Sequence, residues 1–204
     1  MADARLFPLF VKLRGRKCLI VGGGKVSEGK IAGLLSTGAK IRVVSPEVTL
    51  QIIAWHRKRR VQWVRRKFRK TDLTGVYLVV AATSSTAAHR AIYREAQRRG
   101  ILCNIVDVPE LCDFYYGSVV QRGRLQIAIS TAGASPSLAK RLRKKFEQEF
   151  GPEYGHWLKA LAKERQTIRT RNTAAGEKLR LLEDLASADA FVDYLRQTKH
   201  KKMS

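Results

Sequence analysis

Residues 17–30 read KCLIVGGGKVSEGK, and the architecture turns on how this glycine triplet is read. Lys17 to Val21 form an apolar, partly β-branched run that enters glycine; Val26, Ile31, Leu34 and Leu35 then recur at near-helical spacing. The stretch is therefore strand, glycine turn, helix. A dinucleotide requires that context: a turn too tight for side chains, a backbone that can approach the pyrophosphate, and a helix whose free N–H groups face the anion. Gly22 and Gly24 take the first two fingerprint positions with Gly23 between them, and small Ser27 takes the third. The competing reading is a triple glycine that only makes a turn. The acid that meets a ribose lies about 20 residues further on, and here only Glu47, just past Pro46, is available. NAD is the expected cofactor, with the choice against NADP open at this level.

Working outward, strands are expected at 41–44, in the edge-like VQWVRR, at 76–83 (VYLVVAAT, apolar enough to be buried on both faces) and at 101–106, with a helix at 85–99. Strands alternating with helices predict an α/β fold of Rossmann type, a doubly wound parallel sheet. After Pro109 the pattern changes. GSVVQRGRLQIAIST predicts a hairpin turning through Arg122, Gly123 and Arg124. From Ser135 the chain reads as helix, with breaks at Gly151, Pro152 and Gly155 and around Gly176, and TKHKKMS as a frayed basic tail.

The 204 residues, 45% of them hydrophobic, suffice for one well-packed domain and a smaller addition. No apolar run approaches the roughly 20 residues that cross a bilayer, and the N-terminus lacks a signal-peptide core, so a cytoplasmic protein without a membrane partner is expected. Cys18, Cys103 and Cys112 are too few and too scattered for a disulfide framework or a zinc site, and Cys18 and Cys103 fall in apolar strands. His56, His89, His156 and His200 share no metal-ligand spacing, so no metal site is assigned. Charge is the unusual feature: 40 Lys and Arg against 17 Asp and Glu give +23, concentrated in HRKRRVQWVRRKFRK at 56–70. Such an excess implies a polyanionic partner or a basic solvated face.

Several separated motifs in order, LFPLFVKLRGRKCLIVGGGKVSEGKIAGLL, AATSS and CNIVDVPELCDFYYGSVVQRGRLQIAISTAGASPSLAKRLR, resemble the precorrin-2 dehydrogenase/sirohydrochlorin ferrochelatase family, also the N-terminal module of siroheme synthases. The resemblance is close over 6–150 and looser beyond. It implies a homodimer with an NAD-binding Rossmann domain (1–116), a dimerisation segment of hairpin plus helix (117–150) and a helical C-terminal domain (151–204) that closes the cleft. It implies oxidation of precorrin-2 to sirohydrochlorin and, in some members, insertion of iron into the product. Lys25 and Val26 after the turn, Pro46 and Glu47 after the second strand, and Thr83 of AATSS join the glycines as cofactor contacts, and Asp107 matches the family's principal catalytic residue. Ser27 and Gly29 stand where relatives commonly show alanine and arginine, and Gly117 where proline is frequent.

Asp107 follows a strand and so sits at the carboxyl edge of a parallel sheet, where open α/β folds bind ligands. A carboxylate there can accept a proton; the plainer reading is an aspartate that forms a turn. Ser135 before Pro136 reads as a helix N-cap with proline at the first helical position, which explains it fully; the resemblance adds contact with the tetrapyrrole substrate. Two alternatives stay open: a bifunctional dehydrogenase and ferrochelatase, and, from another class, a non-catalytic basic Rossmann module that binds nucleic acid or senses redox state. Asp107 and STAGASPSLAK favour the enzyme and argue against a specific nucleic-acid partner, because a phosphate-backbone binder needs neither.

Overall fold

A computed structural model describes residues 6–203, with side chains through Thr198. The chain divides into two compact units, Met1–Tyr115 and Tyr116–Ser204.

In the first unit, five short strands form a parallel sheet: β1 (Lys17–Val21), β2 (Lys40–Val44), β3 (Gln62–Val64), β4 (Leu78–Ala81) and β5 (Leu102–Ile105), in the order β3-β2-β1-β4-β5. Registers such as Val21↔Val44 and Val21↔Ala81 align the carboxyl ends of the three central strands. The β1 and β4 side chains are almost wholly buried, because helices cover both faces. On one face Ile31 and Leu34 of α1 (Lys25–Leu35) and Ile52 of α2 (Leu50–Arg57) pack with Cys18, Ile20, Ile41, Val43 and Val80. On the other, Ile92 and Ala96 of α3 (Thr86–Arg98) pack with Leu19, Val21, Val79, Cys103 and Ile105. This is the doubly wound sheet expected from the alternation of strands and helices. Helix α2 was not anticipated; Thr49 starts it, its hydroxyl accepting the Ile52 N–H at 3.4 Å.

The basic run at 56–70 is not one surface. Strand β3 runs through its middle, leaving Arg57 to Arg60 at the amino edge of the sheet and Arg65 to Lys70 at the carboxyl edge. Arg66 of the latter group turns inward and forms a bidentate pair with buried Asp72 at 2.6 and 2.8 Å.

In the second unit, β6 (Ser118–Arg122) and β7 (Leu125–Ile129) form the expected antiparallel hairpin, paired Arg122↔Leu125 across Gly123 at φ +57°. Val120 points inward and is buried, with α4 (Pro136–Glu149) and α5 (Glu153–Thr170) packed on the hairpin, while Val119 stays exposed. Arg122 donates to the carbonyls of Glu147 and Phe150 at 2.8 and 2.7 Å, closing the C-terminus of α4. The break after α4 falls at Gly151 and Pro152 as anticipated, but Gly155 lies inside α5. A Cβ there would come within 2.9 Å of the Arg122 backbone, so the glycine serves close packing of helix on hairpin rather than a turn. Gly176 likewise falls in the first turn of α6 (Ala175–Leu185). Helix α7 (Ala188–Met203) continues through most of the stretch expected to fray; the side chains of 199–203 lie outside the described residues.

Candidate functional site at the carboxyl edge of the sheet

The strand order reverses at β1: β2 is on one side and β4 on the other. The crevice outside that switch point is where open α/β sheets bind ligands. The glycine triplet forms its floor, and each glycine does a different job. Gly22 adopts φ +112°, and a Cβ on it would lie 2.2 Å from the Ala82 carbonyl oxygen beyond β4. A Cβ on Gly23 would lie 2.0 Å from the Glu47 carbonyl oxygen in the loop after β2. The Gly22 N–H donates to Val44 and the Thr49 N–H donates to Gly23, locking the turn between its neighbours. Gly24 is different: its φ of −80° suits any residue, and nothing lies within 4 Å of where its Cβ would be. Gly22 and Gly23 are therefore demanded by packing, whereas nothing among the described residues requires glycine at position 24.

Gly24 is also the N-cap of α1 and offers no side-chain cap, as at α5 and α6, whereas Thr49, Ser85 and Ser135 cap α2, α3 and α4. The first N–H groups of α1 are thus left for an anion, on the positive end of the helix dipole. Ser27 is fully buried beneath the turn, and its Oγ has no hydrogen-bond partner; any larger residue there would press on Gly22. Val26 is exposed beside the turn, on the face of α1 that does not pack on the sheet. Lys25 points to solvent and pairs with Glu28 at 3.2 Å. The Glu28 carboxyl is held below the usual range by hydrogen bonding to Thr49, against burial, and by Lys25.

The remaining cofactor candidates ring the same edge. Pro46 and Glu47 are exposed directly after β2, and Thr83 follows β4. The Thr83 carbonyl is 2.7 Å from His89 Nε2 on α3, and its hydroxyl accepts the Ser85 N–H at 3.3 Å. Asp107 completes the edge, two residues past β5 and exposed. It sits at φ +62°, a conformation that aspartate and asparagine tolerate better than other side chains. The Val108 N–H bonds back to Ile105 at 3.2 Å, and the Cys112 thiol donates to the carbonyls of Ile105 and Val108 at 3.1 and 3.3 Å. The carboxylate thus projects from a pinned turn.

One member of the site gave no sequence signal. Lys30, half-buried on α1, has its ammonium pKa lowered by burial and partly restored by the charges of Asp107 and Cys112. The two residues are 77 positions apart in sequence, and the fold brings them within electrostatic reach of each other. Ser135 lies in the second unit, where its hydroxyl accepts the Leu138 N–H at 3.2 Å and its own N–H donates to Thr131. It is the N-cap that the sequence indicated. The open cradle at Gly24, the uncapped helix and the exposed Val26 fit a dinucleotide pyrophosphate.

Residues 9–118 match an NAD(P)-binding family model, and residues 122–149 match the central segment of sirohaem biosynthesis proteins. A siroheme synthase of Nitrosococcus oceani is 36% identical over 166 residues, covering 81% of this chain and 36% of that protein. A siroheme synthase of Methylobacillus flagellatus is 37% identical over 178 residues, covering 87% of this chain and 38% of that protein. The chain therefore spans little more than a third of the length of these curated relatives. Among solved structures, that of SirC, precorrin-2 dehydrogenase, superposes with a TM-score of 0.79 at 28% identity, over 97% of this chain and 98% of that one. With the glycine turn, Glu47, Thr83 and Asp107 all inside the matched residues 9–118, the chain belongs to this NAD(P)-binding family and carries the sirohaem biosynthesis central segment directly after it.

Proposed function

We propose that the chain is an NAD-dependent precorrin-2 dehydrogenase of the cytoplasm, acting as a homodimer. The observation that carries the reading is the convergence of the open glycine turn and the Asp107 turn on one sheet edge, in a chain whose backbone follows SirC over 97% of its length. Bound NAD⁺ would supply the hydride acceptor, so that precorrin-2 and NAD⁺ would give sirohydrochlorin, NADH and H⁺. The uncapped N–H groups of α1 and the space beside Gly24 hold the pyrophosphate. Glu47 is the candidate for the ribose hydroxyls, which favours NAD over NADP.

Asp107 serves the reacting carbon side of the site. As hydride departs, positive charge develops on the macrocycle, and a nearby carboxylate both stabilises it and accepts the proton. Lys30, within electrostatic reach of Asp107, offers a positive charge to a substrate carboxylate. Ser135 is proposed as a further substrate contact, since the N-terminus of α4 that it caps suits a carboxylate.

The test is anaerobic incubation of the pure protein with precorrin-2 and NAD, read by absorption spectra before and after ferrous or cobalt ions are added. Sirohydrochlorin and NADH appearing together support the dehydrogenase; a further spectral change on adding metal, absent without protein, adds the chelatase activity. Unchanged precorrin-2 and NAD would refute the proposal.

A further inference from the structure

The opposite edge of the sheet holds a second concavity, of about 500 Å³. It lies at the amino ends of the strands, the length of β1 or roughly 16 Å from the glycine turn. Lys17 and Lys40 open β1 and β2, and they are direct partners in the parallel register, a like-charge pair that sheets ordinarily avoid. Arg42, also on β2, is held by Gln62 at 3.0 Å. Arg59 and Arg60 enter from the end of α2, where Arg59 adopts φ +55° and the two backbone N–H groups bond back to His56 and Trp55 at 2.9 Å. No Asp or Glu lines the cleft, and none of these five cations has an ion pair among the described residues. The apolar part of the lining that solvent can reach is Ala39 and Val76, both half-buried, over the buried Cys18, Ile41 and Val61.

Lys17, Lys40, Arg59 and Arg60, gathered by strand register and a left-handed turn, have no carboxylate in the cleft lining, whereas Arg42 feels the charge of Asp72; an anion bound among the four relieves their mutual repulsion. A scattered solvated face would not carry an apolar lining. We infer that this cleft binds a small organic polyphosphate of the nucleoside triphosphate class, its ring system against Ala39 and Val76 and its phosphates among Lys17, Lys40, Arg59 and Arg60. The volume suits a ligand of that size. Dense charge on a compact chain of phosphates matches clustered lysine and arginine donors better than dispersed carboxylates do. The site is separate from the carboxyl edge and does not depend on the dehydrogenase reading.

Isothermal titration of the full chain with ATP, with NAD saturating, tests the inference; tripolyphosphate, citrate and single-stranded oligonucleotides serve as comparisons. ATP is expected to bind once per chain and more tightly than tripolyphosphate or citrate. Lys40→Gln/Arg60→Gln, both at exposed positions, is expected to weaken ATP at least about tenfold, from the loss of two charge-assisted contacts. Gly24→Asp, at the other edge, is expected to leave ATP binding unchanged. Circular dichroism confirms that each variant is folded. The inference is overturned if ATP does not bind, if the double variant binds it as well as the parent, or if citrate or tripolyphosphate binds equally well. Oligonucleotide affinity that rises with length and exceeds that of ATP also overturns it, and assigns the surface to a nucleic-acid backbone.

Discussion

Three consecutive glycines look interchangeable in sequence, yet the structure separates them. Gly22→Ala puts a methyl group 2.2 Å from a backbone carbonyl at a φ of +112°, so neither neighbour nor chain can yield cheaply. Gly24→Asp meets no protein atom and no backbone strain, but it places an anionic side chain where a pyrophosphate would lie. Gly24→Asp should therefore stay folded and lose NAD binding, while Gly22→Ala should lose stability by about 1–3 kcal/mol or fail to fold. Urea titration and NAD titration on the two proteins check this, and unchanged NAD affinity in folded Gly24→Asp would remove the dinucleotide assignment. The fingerprint spacing made the turn legible, because glycine at those offsets has one dominant cause. The pinned left-handed conformation of Asp107 was not legible because it depends on a thiol and backbone hydrogen-bond geometry that periodicity does not report, and the half-burial of Lys30 was not legible because it depends on packing by residues distant in sequence.

At the scale of elements, the buried strands were legible as apolar runs and the edge strand β3 by its alternating character. Periodicity missed α2, which is eight residues long and buries one side chain fully, Ile52. It also misplaced the break at Gly155, where tertiary contact with the hairpin, not chain reversal, selects glycine. Helix α3 carries a testable electrostatic feature. Glu95 accepts hydrogen bonds from Arg98 and Arg99 at 2.6 Å, and these two guanidiniums lower its pKa from 4.5 to about 2. Asp72 behaves similarly: burial pushes it up, but the hydrogen bonds from Arg66 and the Arg69 N–H hold it below its ordinary value. A carboxylate depressed in the folded state contributes stability that is fully present above its unfolded pKa and is lost as pH falls through the folded one. Stability should therefore drop between pH 4.5 and about 2, and Glu95→Gln should flatten part of that decline. A denaturation midpoint with the same pH dependence in both proteins would contradict the assignment.

At the scale of the whole molecule, the charge excess resolves into separate parts: Arg66, Arg98 and Arg99 are engaged by carboxylates, while Lys17, Lys40, Arg59 and Arg60 crowd one edge of the sheet. Composition could not show this, because a strand divides the basic run. The second unit presents a two-stranded hairpin with one face on α4 and α5 and Val119 exposed on the other. Such a hairpin is marginal in water without further cover, and a second copy of the chain is the proposed cover. Light scattering at micromolar concentration and moderate salt should give twice the chain mass, and Val119→Glu should shift it to the monomer; a monomeric parent protein would exclude the dimer. The central claim, that the carboxyl edge is a dehydrogenation site served by Asp107, is tested most directly by the rate of sirohydrochlorin formation in Asp107→Asn. Asparagine keeps the shape and the left-handed backbone and removes only charge and basicity. The predicted result is a loss of at least about 10²-fold, the low end for a general acid–base group, with NAD affinity intact. Formation near the parent rate would show that Asp107 only makes a turn, and would contradict the account.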